Sequence, residues 1–462
     1  MAVMPGECGG ERVALVPQVA GEIAARFRAD ADEADEVRRQ IRRTLAAAGK
    51  DTSAPATLQE LADWSRFVAD DLSWRVEVII GADNRFDLSH GMVGAIFRHR
   101  SQAEALASAE VEARQMANAP PERVAEWWNT LDVATRRSLI QARPELIGDL
   151  LGIPTSARSQ ANQRRVQKRL EELRAERARF EAMFGGPLPL PGPLAQRRDA
   201  LDRQIASHER MLGSDVTLLH YDPTGDGRAT AVIGQIEDAD HIGVFVPGTG
   251  NDLGTMKSQI DVAARMQIWS SDRASRGESV ATVMYLGYDA PDNVALAARS
   301  KFANDGDAAL AAFVSTEIPT LNRHGDGSHV TVVGHSYGST IVGQATRQGM
   351  RADDVVLVGS PGVNAKRAEA LGDPRHVWVG AAAWDPVPHA PAHGPNPAGP
   401  EFGASRFRTG EASGHSEYYG EKDTLEENES SANIARVIVG DYDAVTPAGV
   451  QTVPAPAPGA SV

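Results

Sequence analysis

The run Val330-Thr331-Val332-Val333-Gly334-His335-Ser336-Tyr337-Gly338 sets a serine between two glycines at the end of an apolar, β-branched stretch, with Ile341, Val342 and Ala345 following at helical spacing. Strand, Gly-x-Ser-x-Gly turn and helix in that order make a turn too tight for a β-carbon at Gly334 and Gly338. The backbone of Ser336 is strained and its side chain exposed. Such a serine suits nucleophilic attack on an acyl carbon. The helix that starts behind it directs its unsatisfied N–H groups at the site, and the N–H of Tyr337 is one expected donor to an oxyanion. A serine hydroxyl is a weak nucleophile at neutral pH, so it needs a base, and the base needs an orienting acid.

Asp385 is the expected acid. It stands in Trp384-Asp385-Pro386-Val387-Pro388, just past the strand Val377-Trp378-Val379-Gly380 and so on the sheet edge that carries the serine turn. Asp353, Asp354 and Asp373 precede strands, belong to the opposite edge and read as solvated caps. His389, His393 and His415 compete for the role of base. His415 is preferred, because Gly414-His415-Ser416-Glu417-Tyr418-Tyr419 lies between the acid and a C-terminal helix over Ser430 to Val439. His389 and His393 then read as exposed loop histidines. Their spacing would pair two imidazoles on zinc only in a helix, which Pro388, Pro391 and Pro395 forbid. No metal or other cofactor is expected.

Upstream, Ile242-Gly243-Val244-Phe245-Val246 runs into Pro247-Gly248-Thr249-Gly250-Asn251-Asp252-Leu253-Gly254. The glycines superficially suggest a dinucleotide site, but such a site wants this turn after the first strand of its domain, and strands precede it here. As the loop after a third strand it supplies a second oxyanion donor, the N–H of Thr249, which agrees with the serine turn.

Two grammars divide the chain into the elements that must hold these residues. Residues 1–184 are expected to be an all-α domain, with amphipathic helices over Val19–Ala48 and Leu58–Ile79, short helices from Trp127 to Ala161, and a charge-rich helix from Gln163 to Phe184. Residues 185–212 form a Gly/Pro hinge and linking helix. Residues 213–443, where Val- and Ile-rich runs alternate with helical stretches, are an α/β domain with a largely parallel sheet. Its first two runs flank Asp222-Pro223-Thr224-Gly225-Asp226-Gly227 and predict an antiparallel hairpin at the sheet edge. That turn is no calcium loop, since Ile233 stands where a bidentate Glu is required. Residues 444–462 read as a disordered Pro/Ala tail.

Composition narrows the partners. Against 62 Asp and Glu the chain has 47 Lys and Arg, a net charge of −15, which argues against nucleic-acid binding. The single cysteine, Cys8, makes neither an intramolecular disulfide nor a thiolate cluster. No apolar stretch reaches the roughly 18 residues of a membrane span, and the first residues are not a standard signal peptide. The expectation is a cytoplasmic protein without integral membrane association, with non-classical secretion open.

These motifs together resemble the α/β-hydrolase superfamily, and within it an actinobacterial family formerly catalogued as a domain of unknown function. The stretches that carry the resemblance span about residues 125–440 and include Leu146-Ile147-Gly148-Asp149-Leu150-Leu151-Gly152-Ile153-Pro154 beside those quoted above. The resemblance implies a serine hydrolase with Ser336, Asp385 and His415 as its triad, and leaves the substrate open. A small-molecule or lipid ester is expected. Met256, Ile260, Met266, Ile268 and Trp269 are candidates for an acyl pocket, though such spacing also suits ordinary core. The rival expectation is a helical interaction module with an incidental hydrolase domain, a protein partner docking on Trp64, Trp74, Trp127 and Trp128.

Overall fold

The computed structural model describes residues 91–449 apart from 187–188, 298–300, 391 and 422–423, together with Ala25, Arg26 and Ala29. But for those three, the helices expected before residue 80 lie outside the described residues, Trp64 and Trp74 with them. Contacts divide the chain into Met1–Ala105 and Leu106–Val462. The described part of the first unit is chiefly the start of the helix Gly91–Met116, and the sheet and the site belong to the second. Among the described residues no helix is long and apolar enough to cross a membrane.

The Val- and Ile-rich runs form β1 (Val216–Asp222), β2 (Arg228–Ile233), β3 (His241–Val246), β4 (Val280–Leu286), β5 (His329–His335), β6 (Asp354–Val358) and β7 (Val377–Gly380). A two-residue β8 (Ser405–Arg406) completes an eight-stranded sheet in the order β1-β2-β4-β3-β5-β6-β7-β8. The hairpin β1–β2 and the pair β2–β4 are antiparallel, and every other pair is parallel. β3 and β4 are buried at every residue, which is why they lack polar alternation: helices cover both faces of a parallel sheet. This is the expected α/β architecture, with a helical stretch before it.

Five helices matter for the site: α1 (Thr155–Phe184), α2 (Gly192–Met211), α3 (Met256–Ser271), α4 (Tyr337–Arg347) and α5 (Glu429–Ile438). α1 and α2, on either side of the Gly/Pro run, pack on each other, and α1 also packs on β1. Met256, Ile260 and Met266 of α3 are buried in the main core, Trp269 is also buried and Ile268 is exposed, so the core reading of that stretch holds for all but Ile268. Trp127 and Trp128 are likewise buried, in a smaller core of the helices before α1, and offer no docking surface. Thr446 and Ala448, expected in the tail, are bonded in: the N–H of Arg408 donates to Thr446 O (2.9 Å) and that of Ala448 to Arg406 O (2.9 Å), while residues 450–462 lie outside the described residues.

Side chains of α1 serve the backbone of β1 where a register shift interrupts the strand between Leu218 and His220. Ser159 Oγ accepts from Leu218 N (3.0 Å), and Asn162 Nδ2 donates to Leu218 O (3.2 Å) and Leu219 O (3.0 Å). Arg158, fully buried, donates to Leu219 O (3.1 Å) and to Glu317 (2.8 Å), which a π-helical turn over Phe313–Glu317 presents. His220 lies between Glu317 (2.9 Å) and Asp149 (3.2 Å). Burial would raise the Glu317 carboxyl, but hydrogen bonding to His220 and the charges of His220 and Arg158 outweigh it and hold it down at about 2. His220 shifts up: burial opposes its charge, and the hydrogen bonds to Asp149 and Glu317 prevail.

These shifts give stability a definite pH dependence. A carboxyl at 4.5 when unfolded and about 2 when folded stabilises the protein above pH 4.5, and this is lost as pH falls toward 2. The raised histidine stabilises below its usual 6.5 and ceases to do so as pH rises through its folded value. The network therefore contributes most between about pH 4.5 and 6.5. Urea midpoints across pH should fall on the acid side in wild type, and Glu317→Gln should flatten that limb. An unchanged acid limb in the variant refutes the assignment.

Candidate active site

Ser336 leaves β5 with φ 54° and ψ −130°, the left-handed side of backbone space that a residue with a β-carbon rarely adopts. The turn is braced on three sides: Ser336 N donates to Val358 O (3.0 Å), while Ser336 O accepts from Ser339 N (3.0 Å) and from Ser339 Oγ (2.6 Å). The two glycines are required for different reasons. A β-carbon at Gly334 would meet Ser339 Cα at 2.6 Å, inside the turn itself, whereas one at Gly338 would meet Val246 O at 2.3 Å and Pro247 O at 2.6 Å, on the neighbouring loop. Gly338 thus lets the Pro247–Gly248–Thr249 loop close onto the serine.

That loop is also shaped by a glycine. A β-carbon at Gly248 would lie 2.7 Å from Ser336 Cβ and 3.0 Å from Tyr337 N, filling the space in front of the serine. Asn251 Nδ2 donates to Gly248 O (2.9 Å), and because the peptide is planar and trans, the N–H of Thr249 points the opposite way. Tyr288 Oη donates to Pro247 O from above the loop. Ser336 O turns toward Ser339, so by the same geometry the Tyr337 N–H turns away from it.

Asp385 and His415 are brought together. His415 Nδ1 donates to Asp385 Oδ2 (2.9 Å) and Oδ1 (3.0 Å), Tyr418 Oη donates to Oδ2 (2.6 Å), and Val387 N donates to Oδ1 (2.9 Å). Burial alone would raise this carboxyl, but the hydrogen bonds from His415, Tyr418 and Val387 outweigh it and hold it below the usual range. Tyr418 is itself shifted far above an ordinary phenol by burial, so it remains a donor. With Nδ1 committed to Asp385, the neutral imidazole carries its lone pair on Nε2. His335, the residue before the serine, donates from Nε2 to His415 O (2.8 Å). Burial first, and then the neighbouring His415, push His335 down to about 4, which keeps it neutral.

Two sequence expectations change. His393 is 2% exposed, not solvated: its Nε2 donates to Ala297 O (2.6 Å) and its ring stands edge-on to Tyr337 at 5.3 Å. The prolines forbid a helix there but fold the loop inward. His389 is exposed. Asp354 is no solvated cap either, being 1% exposed and hydrogen-bonded to His329, His376, Trp378 and Tyr442 at the sheet edge opposite the serine. Sequence reasoning missed Tyr418, Asn251 and His335 as supports. The signal for Tyr418 was its place three residues after His415, and for Asn251 its place in a glycine-rich turn.

A mostly parallel sheet that carries a strained serine at a strand-to-helix turn, with an Asp–His pair past later strands, defines the α/β hydrolases. A family model described as alpha/beta hydrolase matches residues 222–395. An uncharacterized protein of Mycobacterium bovis is 31% identical over 215 residues, 44% of this chain and 75% of that one. An uncharacterized protein of Mycobacterium tuberculosis is 32% identical over 392 residues, 73% of this chain and 58% of its own length. The chain therefore belongs to the α/β-hydrolase family, and it spans little more than half the length of that second relative. Among solved structures, an esterase from Pyrobaculum calidifontis covers 55% of this chain and 94% of its own at 16% identity and a TM-score of 0.33. The esterase LipW from Mycobacterium marinum covers 57% and 93% at 13% identity and a TM-score of 0.32. Likenesses this distant bear on neither substrate nor mechanism.

Proposed function

We propose that the protein is a serine hydrolase that cleaves a carboxylic ester of a small molecule or lipid. Ser336 Oγ attacks the carbonyl carbon while His415 Nε2 takes its proton, and Asp385 stabilises the imidazolium that results. The N–H groups of Thr249 and Tyr337 hold the oxyanion. The proton passes from His415 to the leaving alkoxide, an acyl-enzyme forms, and water activated by the same histidine releases the acid. The observation that carries the reading is the buried Asp385 on His415 Nδ1, together with a strained Ser336 at the end of β5. Esters are favoured over amides because an alkoxide leaves more readily.

Hydrolysis of p-nitrophenyl esters of graded acyl length, with fluorophosphonate labelling in parallel, tests it. Turnover together with labelling that needs Ser336 supports the reading; a wild type that neither turns over nor labels overturns it. A labelled but inert wild type would retain the serine and reject the ester class. Gly248→Ala is a sharper probe of the oxyanion loop. Its methyl would crowd Ser336 Cβ and Tyr337 N, so kcat/KM should drop about a hundredfold, the scale of losing one oxyanion donor. Unchanged kcat/KM would remove that loop from the mechanism.

A further inference from the structure

The carboxylate of Asp385 is shared. His415 Nδ1 donates to both of its oxygens, and Tyr418 Oη makes the shortest bond, 2.6 Å to Oδ2. A hydroxyl that close to a carboxylate forms a charge-assisted bond, about twice as strong as a neutral one. The phenol is held to this task. Tyr418 is fully buried, and its oxygen accepts from Ala382 N (2.9 Å), which leaves its own hydrogen for Asp385. Burial also holds the phenol far above its ordinary range, so it keeps that hydrogen while the carboxylate is charged.

The other groups packed against the pair come from several elements. Gly359 follows β6 at φ 58°, and a β-carbon there would meet Asp385 Oδ2 at 2.9 Å and His415 Nδ1 at 3.1 Å, so backbone closes that side. His335, at the end of β5, sets its ring 4.9 Å from that of His415 and, pushed down to about 4 by burial, is uncharged. Val387 N bonds to Oδ1 (2.9 Å). Glu417, on the histidine's own loop, is exposed and accepts from Ser413 N (2.8 Å) and Ser413 Oγ (2.9 Å). Among the described residues, Tyr418 is thus the side-chain donor that competes with His415 for Asp385. A carboxylate already steadied by one strong donor attracts a neighbouring cation less.

We propose that Tyr418 is a positioning residue that also tempers the base: by holding Asp385 Oδ2 it weakens the pull of that carboxylate on the imidazolium, and so keeps His415 free to accept a proton from Ser336. A base that binds its proton too firmly is already occupied when the substrate arrives. The proposal rests on the hydrolase reading, in which His415 is the base, but the contact it invokes is measured without turnover.

The test follows the His415 ring by NMR across pH, in the full chain labelled with carbon-13 at histidine Cε1, the resonance assigned by its loss in His415→Ala. In Tyr418→Phe the titration midpoint of that ring should rise by roughly 0.5–1 pH unit, and the acid limb of kcat/KM for a p-nitrophenyl ester should move up with it. Incorporating 3-fluorotyrosine at position 418 keeps every bond and strengthens the donor, so the midpoint should fall. That second protein decides the matter if Tyr418→Phe, which leaves Ala382 N without its acceptor, does not fold. A folded Tyr418→Phe with an unmoved or lowered midpoint, or a fluorinated protein with an unmoved or raised one, overturns the proposal, since a residue that merely fills space lowers activity without moving the midpoint. Midpoints that move as expected in a protein that neither turns over nor labels with a fluorophosphonate uphold the role of Tyr418 toward the pair and sink the hydrolase reading instead.

Discussion

Ser336→Ala should lower kcat for a p-nitrophenyl ester by roughly 10³- to 10⁶-fold, and His415→Ala by a similar factor, because members of a triad act as a unit and their losses do not add. Asp385→Ala should cost somewhat less. Its carboxylate orients Nδ1 and steadies the imidazolium without bonding to the substrate, and Tyr418 and Val387 N would retain part of the local geometry. The double variant Ser336→Ala with His415→Ala should be no slower than the worse of the two singles. Near-wild-type turnover in Ser336→Ala would remove the serine from the reaction, and additive losses would mean that serine and histidine serve separate steps. Pre-steady-state release of p-nitrophenol by wild type, absent in Ser336→Ala, reports the acyl-enzyme directly.

Arg158→Ala should destabilise the sheet-bearing unit by about 3–5 kcal/mol in urea unfolding, the scale of breaking a buried ion pair. The guanidinium is fully buried, and its removal leaves Glu317 with His220 alone and takes one of two side-chain donors from Leu219 O and from Gly148 O, the other being Asn162. Most of that cost is a buried carboxylate that loses one of its two cationic partners. Arg158→Met combined with Glu317→Leu should therefore lose less than the sum of its singles, since the two are coupled. A single variant within about 0.5 kcal/mol of wild type would show the pair to be dispensable.

Where an element was decided by its own residues, the sequence was enough to find it. The apolar runs of β3 to β7 are long and β-branched, and Gly-x-Ser-x-Gly announces the turn between β5 and α4. β8 escaped because Ser405 and Arg406 have no apolar run of their own and gain strand geometry only by pairing with Trp378 and Val379. Asp354 escaped for a related reason. Its burial is created by His329, His376, Trp378 and Tyr442, which come from three separate places in the chain. His393 was misjudged because proline-rich loops are usually solvated, and only the fold shows Tyr337 and Ala297 receiving its ring. The link between Arg158 and Glu317 joins residues too far apart in sequence for any local pattern to announce it.

The bonds from α1 to the broken strand β1 have a consequence for how copies of the chain meet one another. A strand at the margin of a sheet offers a row of unsatisfied N–H and C=O groups, a ready template on which another chain can add a strand. Here Ser159, Asn162 and Arg158 occupy several of those groups, and the bulge at Leu219 bends the strand out of the flat form that stacking needs. α1 thus acts as a stopper against edge-to-edge aggregation. A fragment cut within the Gly/Pro run would keep every residue of the proposed triad and lose that stopper, leaving its outermost strand open to self-association.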